Sequence, residues 1–319
     1  PMNQQNPKRQ RFIEHVQGGN TFAGELSFLR RKYTQDIDGA DVVISGIPFD
    51  SATTFRPGAR LGPQAIRAAS VQLAELIGRA FPFGINPVEV LAVADYGDCL
   101  LDSGYPQHLV ETVEAHARLL ISSGALMVTL GGDHFVTYPL LRAHAEKYGP
   151  VALVHFDAHV DTWEDDGKRL DHGSMFLRAK REGLIDVSRS VQIGIRSFSD
   201  ESHGFTVIDA PTVHQQSQQA TIQQILDTVG DHPAYLTFDI DCLDPAFAPG
   251  TGTPVAGGLS SAQALGILRG LGKLNFVGMD VVEVAPAYDH AEITAIAAAT
   301  IAHDFIGLLA LKKLQGEAT

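Results

Sequence analysis

The sequence predicts an α/β fold built on a mainly parallel sheet of about eight strands, and three observations carry that reading. Short β-rich runs alternate with segments of helical length and periodicity. Runs such as Val151-Ala152-Leu153-Val154 are apolar at consecutive positions, as a parallel strand covered by helices on both faces requires. The residues of unusual chemistry cluster just beyond the carboxyl ends of such runs, where open α/β sheets hold their ligands.

In chain order the strand runs are Val42 to Ile47, Val90 to Ala94, Leu126 to Leu130, Val151 to Phe156, Val191 to Ile195, Thr206 to Ile208, Ala234 to Phe238 and Phe276 to Val281. Helical periodicity marks Gly62 to Arg79, Gln107 to Ser123, Thr137 to Lys147, Thr221 to Val229 and Ser260 to Leu271. Pro63 suits a first helical turn, and Ser260-Ser261 offers caps. The apolar stretch Ile293 to Leu311 is interrupted by His303 and Asp304 and rich in Ala, which predicts a buried amphipathic helix rather than a membrane span. With no repeat or low-complexity linker, residues 25–319 are expected to form one domain behind an N-terminal segment, 1–24.

A chain of 319 residues with 45% hydrophobic content can bury a large core. Its net charge of -13 argues against nonspecific nucleic-acid binding and favours approach of a cationic small molecule. The two cysteines, Cys99 and Cys242, cannot make a disulfide framework and read as buried free thiols, which fits a reducing cytoplasm. The first 19 residues are polar and basic without an apolar stretch, so no secretory leader is expected.

Asp157-Ala158-His159-Val160-Asp161 places three metal-type ligands at every second residue, and Asp239-Ile240-Asp241 repeats the i, i+2 pattern. Side chains two apart on a strand share a face, so carboxylates converge, and cations relieve the repulsion. Gly131-Gly132-Asp133-His134 follows a strand whose glycines allow a sharp turn, adding His134 to the set. Taken singly, each aspartate reads as a helix cap and each histidine as a core residue; the joint spacing of the six is what outweighs that explanation. The spacing fits neither a zinc-protease helix, which needs His at i, i+4, nor a calcium-binding loop. Four carboxylates offset two divalent ions, and oxygen-rich ligation with imidazole and no thiolate favours a hard ion such as Mn²⁺. Paired metals about 3.5 to 4 Å apart activate a shared water, so hydrolysis is the implied reaction. His155 shares strand parity with Asp157 but lies deeper, which favours core packing or support of Asp157 over ligation. Gly250-Thr251-Gly252-Thr253-Pro254 lacks the Gly-Lys-Ser/Thr ending of a nucleotide-binding loop.

These three motifs, with Pro245 to Pro254 and Gly278 to Pro286, resemble the signatures of the ureohydrolase (arginase) superfamily over nearly the whole chain, most closely its bacterial agmatinase branch. The resemblance implies a three-layer α/β/α sandwich around an eight-stranded parallel sheet. It also implies hydrolysis of a guanidino compound to urea by attack of a hydroxide bridging two Mn²⁺ ions. Residue by residue, it assigns His134, Asp157, Asp161 and Asp239 to one ion and Asp157, His159, Asp239 and Asp241 to the other. His172 matches the family's proton shuttle, Glu283 the carboxylate that grips the guanidinium, and Thr253 a threonine beside it. Trp163, the only tryptophan, is expected either to wall the pocket or to pack its loop.

For the substrate, the acidic Glu164-Asp165-Asp166 run reads equally as a solvated loop or as a lining that suits a distal ammonium and repels a carboxylate, and the latter points to agmatine, cleaved to urea and putrescine. Lys168 and Arg169 lie close by in sequence and keep a guanidinobutyrase as the alternative. A non-catalytic, metal-stabilised binding module would be favoured by loss of a ligand, of His172 or of Glu283, and none is lost; a single-zinc deacetylase would not need all six ligands. Neither nucleic acid nor membrane is an expected partner. The resemblance implies a homo-oligomer, a trimer or hexamer.

Overall fold

The computed structural model describes residues 6–15, 20–75 and 81–317. Nine strands, β1 (Lys32–Tyr33), β2 (Val42–Ile47), β3 (Val93–Asp98), β4 (Leu126–Gly131), β5 (Ala152–Phe156), β6 (Val191–Ile193), β7 (Thr206–Ile208), β8 (Pro233–Asp239) and β9 (Asn275–Val282), join one sheet in the order β1-β3-β2-β4-β9-β8-β5-β6-β7. Every pairing is parallel. Where eight strands are expected, the described residues form nine. The addition, β1, is a two-residue edge strand, too short to carry a periodic signal. A second correction concerns Val90 to Ala94: Asn86 caps a short helix at Pro87–Val90, accepting the Val88 N–H, so the strand begins only at Val93 and runs on to Asp98.

Strand alternation sorts side chains into two cores. Val42 and Ile44 pack on one side with Ile66, Leu268 and Phe305, while Val43 and Ile47 pack on the other with Val113, Leu120 and Leu140. Helices Gly62–Glu75, Gln218–Val229, Ser261–Arg269 and Ile293–Glu317 cover the first side, and Leu109–Ser122, Thr137–Tyr148 and Met175–Arg181 the second. This is the three-layer sandwich. The predicted cap at Ser260 is a full capping box with Gln263. The expected extension of the helix from Gly62 to Arg79 lies beyond the described residues after Glu75. Helix Ile293–Glu317 is long and apolar enough to cross a membrane by composition, yet it packs between neighbours, burying Ala298, Ala302, Phe305 and Ile306. It is apolar around its circumference rather than amphipathic, and its buried Asp304 pairs with Arg269 at 2.7 Å.

Under the sheet, His144 is fully buried: its Nδ1–H donates to the Leu140 carbonyl at 2.7 Å, while Nε2 has no partner among the described residues and lies against Gly278. Burial lowers its pKa to about 4. Because the folded value lies below the unfolded one, the stability held by the neutral imidazole is complete above about pH 6.5 and is lost as pH falls toward 4. Denaturant unfolding at pH 6.5 and 5 should show His144→Phe losing about 2 kcal/mol less than the wild type over that interval. Identical pH slopes would rule out this histidine as the source.

Candidate metal centre and active site

The sheet order sets β4, β9, β8 and β5 side by side, so four loops that are distant in sequence open at one place. After β4, Gly132 lies so close to Phe49 that a Cβ would meet its carbonyl oxygen at 1.8 Å, and the Asp133 N–H donates to that carbonyl. The Asp133 side chain then caps the following turn at Phe135 and accepts the Ala52 N–H, which aims His134 over the sheet edge. Asp157 follows β5, Asp239 ends β8, and Glu283 follows β9 with its N–H on the Gly132 carbonyl. Asp161 and Glu283 have φ of 53° and 67°, left-handed values that cost a non-glycine residue about 1 to 2 kcal/mol.

All six expected ligands come together. His134 Nδ1 lies 3.0 Å from Asp157, 2.9 Å from Asp161 and 3.2 Å from Asp239. His159 Nδ1 lies 3.2 Å from both Asp157 and Asp241. Asp157 spans the two groups, turning Oδ2 to His134 and Oδ1 to His159. Asp239 turns Oδ2 to His134, while its Oδ1 accepts the Asp241 N–H at 2.8 Å.

The donor chemistry fits divalent cations. His134 Nδ1 is surrounded by three carboxylate oxygens yet meets hydrogen-bond geometry with none of them. On its far side, Thr237 gives its hydroxyl proton to Asp280 at 2.6 Å, so its oxygen accepts from His134 Nε2–H at 2.8 Å. That leaves a lone pair on Nδ1 pointing among anions, an arrangement that a shared cation satisfies. Burial opposes charge on His134, but the close carboxylates of Asp157, Asp161 and Asp239 push its pKa well above the usual value. Burial likewise opposes charge on His159, yet Asp241 and Asp157 raise it to about 12. Burial and the negative charge of Asp157 raise Asp161 to about 6. Metal binding displaces such protons.

His155 touches Asp157 Oδ2 at 2.7 Å through Nε2, within reach of the cluster. Gln192, whose amide donates to the Val160 carbonyl, also donates to His155 Nδ1 at 3.2 Å. The His155 proton therefore sits on Nε2, directed at Asp157, and this ring supports a ligand rather than offering a lone pair.

Above the cluster is a cavity of about 380 Å³ lined by Thr54, His159, Asp161, Trp163, Asp171, His172, Gly173, Asp239 and Thr253. Trp163 thus walls the cavity, packing over Gly173. His172 Nδ1 contacts Glu283 Oε1 at 2.8 Å, and its Nε2 meets the Thr54 N–H and hydroxyl at 3.1 and 2.8 Å. Burial opposes its charge, but Glu283 outweighs this and raises His172 to about 9. Glu283 is joined to the cavity through His172; its Oε1 also accepts the His134 N–H, and its buried Oε2 has no partner among the described residues. Thr253 donates to Asp241 at 3.3 Å. A second cavity of about 320 Å³, between Leu243, Phe247, Leu265, Ile296 and Ile301, is apolar and carries no titratable group, so the chemistry belongs to the first.

The acidic run does not face this cavity. Glu164 binds Arg181 at 2.6 Å on the surface, Asp165 accepts from Gly167 N–H and Ser174, and Asp166 accepts the N–H groups of Lys168 and Arg169. Neighbouring N–H groups, Ser174 and Arg181 take up these carboxylates. Besides Asp161 and Asp239 of the cluster, Asp171 lines the cavity, and it pairs with Arg169 at 3.1 Å. Sequence reasoning missed Thr54, whose contact with His172 joins residues 118 apart, and Thr237 and Asp280, which read as ordinary strand residues.

Comparison with known proteins agrees with this geometry. Residues 40–307 match the Arginase family. A Chromobacterium violaceum protein named agmatinase is 61% identical over 299 residues, covering 93% of this chain and 92% of that one. The crystal structure of a hypothetical agmatinase from Burkholderia thailandensis superimposes with a TM-score of 0.92 at 59% identity, covering 95% and 96% of the two chains. Proclavaminate amidino hydrolase from Streptomyces clavuligerus gives a TM-score of 0.85 at 39% identity, covering 92% and 99%. With the match spanning the sheet, the ligand cluster and the cavity above it, the chain belongs to the arginase family.

Proposed function

We propose that this protein is an agmatinase, hydrolysing the guanidinium group of agmatine to urea and putrescine. The observation that carries the reading is a cavity whose floor is a His/Asp cluster suited to two metals and whose lining, among the described residues, includes no lysine or arginine. His134, Asp157, Asp161 and Asp239 would hold one cation, and Asp157, His159, Asp239 and Asp241 the other, with Mn²⁺ the proposed ion on the strength of the oxygen-rich donor set. When bound, the pair supplies a water of lowered pKa and Lewis-acid stabilisation. Glu283 presents a buried carboxylate oxygen without a partner, which a guanidinium N–H satisfies. His172, held between Glu283 and Thr54, lies beside the cluster where an imidazole can relay a proton to the departing amine. Thr253 steadies Asp241 beside the substrate, and Trp163 shields the cavity from water on one side.

Substrate choice follows from the lining. A distal carboxylate would lose its water contacts without meeting a cation, since Arg169 is committed to Asp171 and Lys168 is exposed outside the cavity. This replaces the acidic run as the reason to favour agmatine over 4-guanidinobutyrate and arginine. Urea release by the Mn²⁺-loaded protein from agmatine, arginine, 4-guanidinobutyrate and 3-guanidinopropionate tests it. Agmatine should exceed arginine by ~100-fold in kcat/KM, about 2.7 kcal/mol of transition-state binding. A higher kcat/KM with arginine or a guanidino acid would overturn the assignment. We also place the protein in the cytoplasm as a homo-oligomer, a trimer or hexamer, which light scattering on the eluting species reads directly.

A further inference from the structure

One row of the sheet, running across β4, β9, β8, β5 and β6, is polar where the rows around it are apolar. Register pairs Thr129 with Asp280, Asp280 with Thr237, Thr237 with His155 and His155 with Gln192. All five are buried, directly beneath the ligand cluster. Burying them without a purpose for their hydrogen bonds would be costly. In this row Asp280 Oδ1 accepts from Thr237 at 2.6 Å, and its Oδ2 accepts from Thr137 at 2.9 Å and from Tyr235 at 3.0 Å. With three hydroxyl donors converging on it, the carboxylate determines which way the Thr237 hydroxyl proton points.

We infer that Thr237 and Asp280 are positioning residues that set the tautomer and aim of His134, and through it the affinity of one of the two metal positions. The inference rests on the reading of His134 as a metal ligand. Since the Thr237 proton is spent on Asp280, the Thr237 oxygen can only accept, and His134 must carry its proton on Nε2. Nδ1 is then the free donor atom facing Asp157, Asp161 and Asp239. The ring plane is held by edge contacts with Phe176 and His155, at centroid distances of 5.2 and 5.3 Å, so the Thr237 contact fixes which nitrogen faces inward rather than whether the ring packs. Such partners of a ligating imidazole typically carry about 10- to 100-fold in metal affinity.

The test is a titration of the apoprotein with Mn²⁺, following free Mn²⁺ by electron paramagnetic resonance, with urea release from agmatine measured in parallel. Thr237→Val, which keeps the shape and removes the acceptor, should weaken one of the two binding steps by about 10- to 100-fold and leave the other within about 3-fold. Thr237→Ser should restore the wild-type titration. If Thr237→Val fails to fold, Asp280→Asn carries the test: an amide at that position loses the carboxylate that orients the Thr237 hydroxyl, and the same step should weaken. Wild-type affinity for both ions in Thr237→Val, or in Asp280→Asn, would overturn the inference, as would a Thr237→Ser protein as impaired as Thr237→Val. Two ions bound with Thr237 dependence but no urea from agmatine would sink the substrate reading and leave this one standing. Fewer than two ions in the wild type would overturn it together with the ligand assignment.

Discussion

Asp157→Asn is expected to empty both metal positions and to lower kcat/KM by ~10³-fold or more, about 4 kcal/mol of transition-state stabilisation. Asp157 is the side chain whose two oxygens visibly face the two imidazoles, Oδ2 toward His134 and Oδ1 toward His159. Those oxygens also accept from His155 at 2.7 Å and from the His159 N–H at 2.6 Å, so the carboxylate is held rigidly in that bridging pose. An asparagine removes the charge and sets an N–H₂ against either a histidine N–H or a cation. Metal analysis after gel filtration of Mn²⁺-reconstituted protein should fall from two ions per chain toward none. Asp241→Asn, which touches only the His159 side, should spare the ion near His134. A fully retained single ion in Asp157→Asn would show that this residue does not bridge.

His172→Ala is expected to lower kcat by ~10² to 10⁴ while both ions remain bound, the usual worth of a positioned acid–base group. The imidazole touches Glu283 and Thr54, and none of its hydrogen bonds is to a proposed metal ligand's side chain. Burial opposes charge on the ring while Glu283 favours it, so the imidazole can take up and release a proton beside the cluster. Stopped assays with agmatine over a range of concentrations separate kcat from KM, and metal content is read on the same samples. Unchanged turnover would remove the proton-donor role, whereas loss of metal would make His172 part of the ligand shell.

Much of the metal centre was legible because its signal is local. The i, i+2 spacing picked out Asp157, His159 and Asp161, and then Asp239 and Asp241, but strand alternation is not what joins them: β5 ends at Phe156, Asp161 turns with φ of 53° and Asp241 lies in the tight turn Ile240–Cys242, so the loops beyond the strand ends bring them together. The strand runs were legible from their local apolar patterning, apart from β1, which is too short, and the start of β3, where Asn86 and Pro87 nucleate a helical turn. The acidic run Glu164 to Asp166 misled because charge composition says nothing about direction: each carboxylate finds a neighbouring N–H, Ser174 or Arg181 before it could reach the cavity.

What the sequence determined by itself was the donor inventory, the α/β alternation and the resemblance to the arginase family. What only the tertiary structure decided was partnership. The adjacency of β4, β9, β8 and β5 joins His134, Glu283, Asp239 and Asp157 into one site, and strand register places Asp280 beside Thr237 and Thr237 beneath His134. It also brings Thr54 to His172, 118 residues away, above the ligand cluster. These relations join residues far apart in the chain, and hydrogen-bond direction depends on which groups meet after packing, which no local pattern in the sequence records.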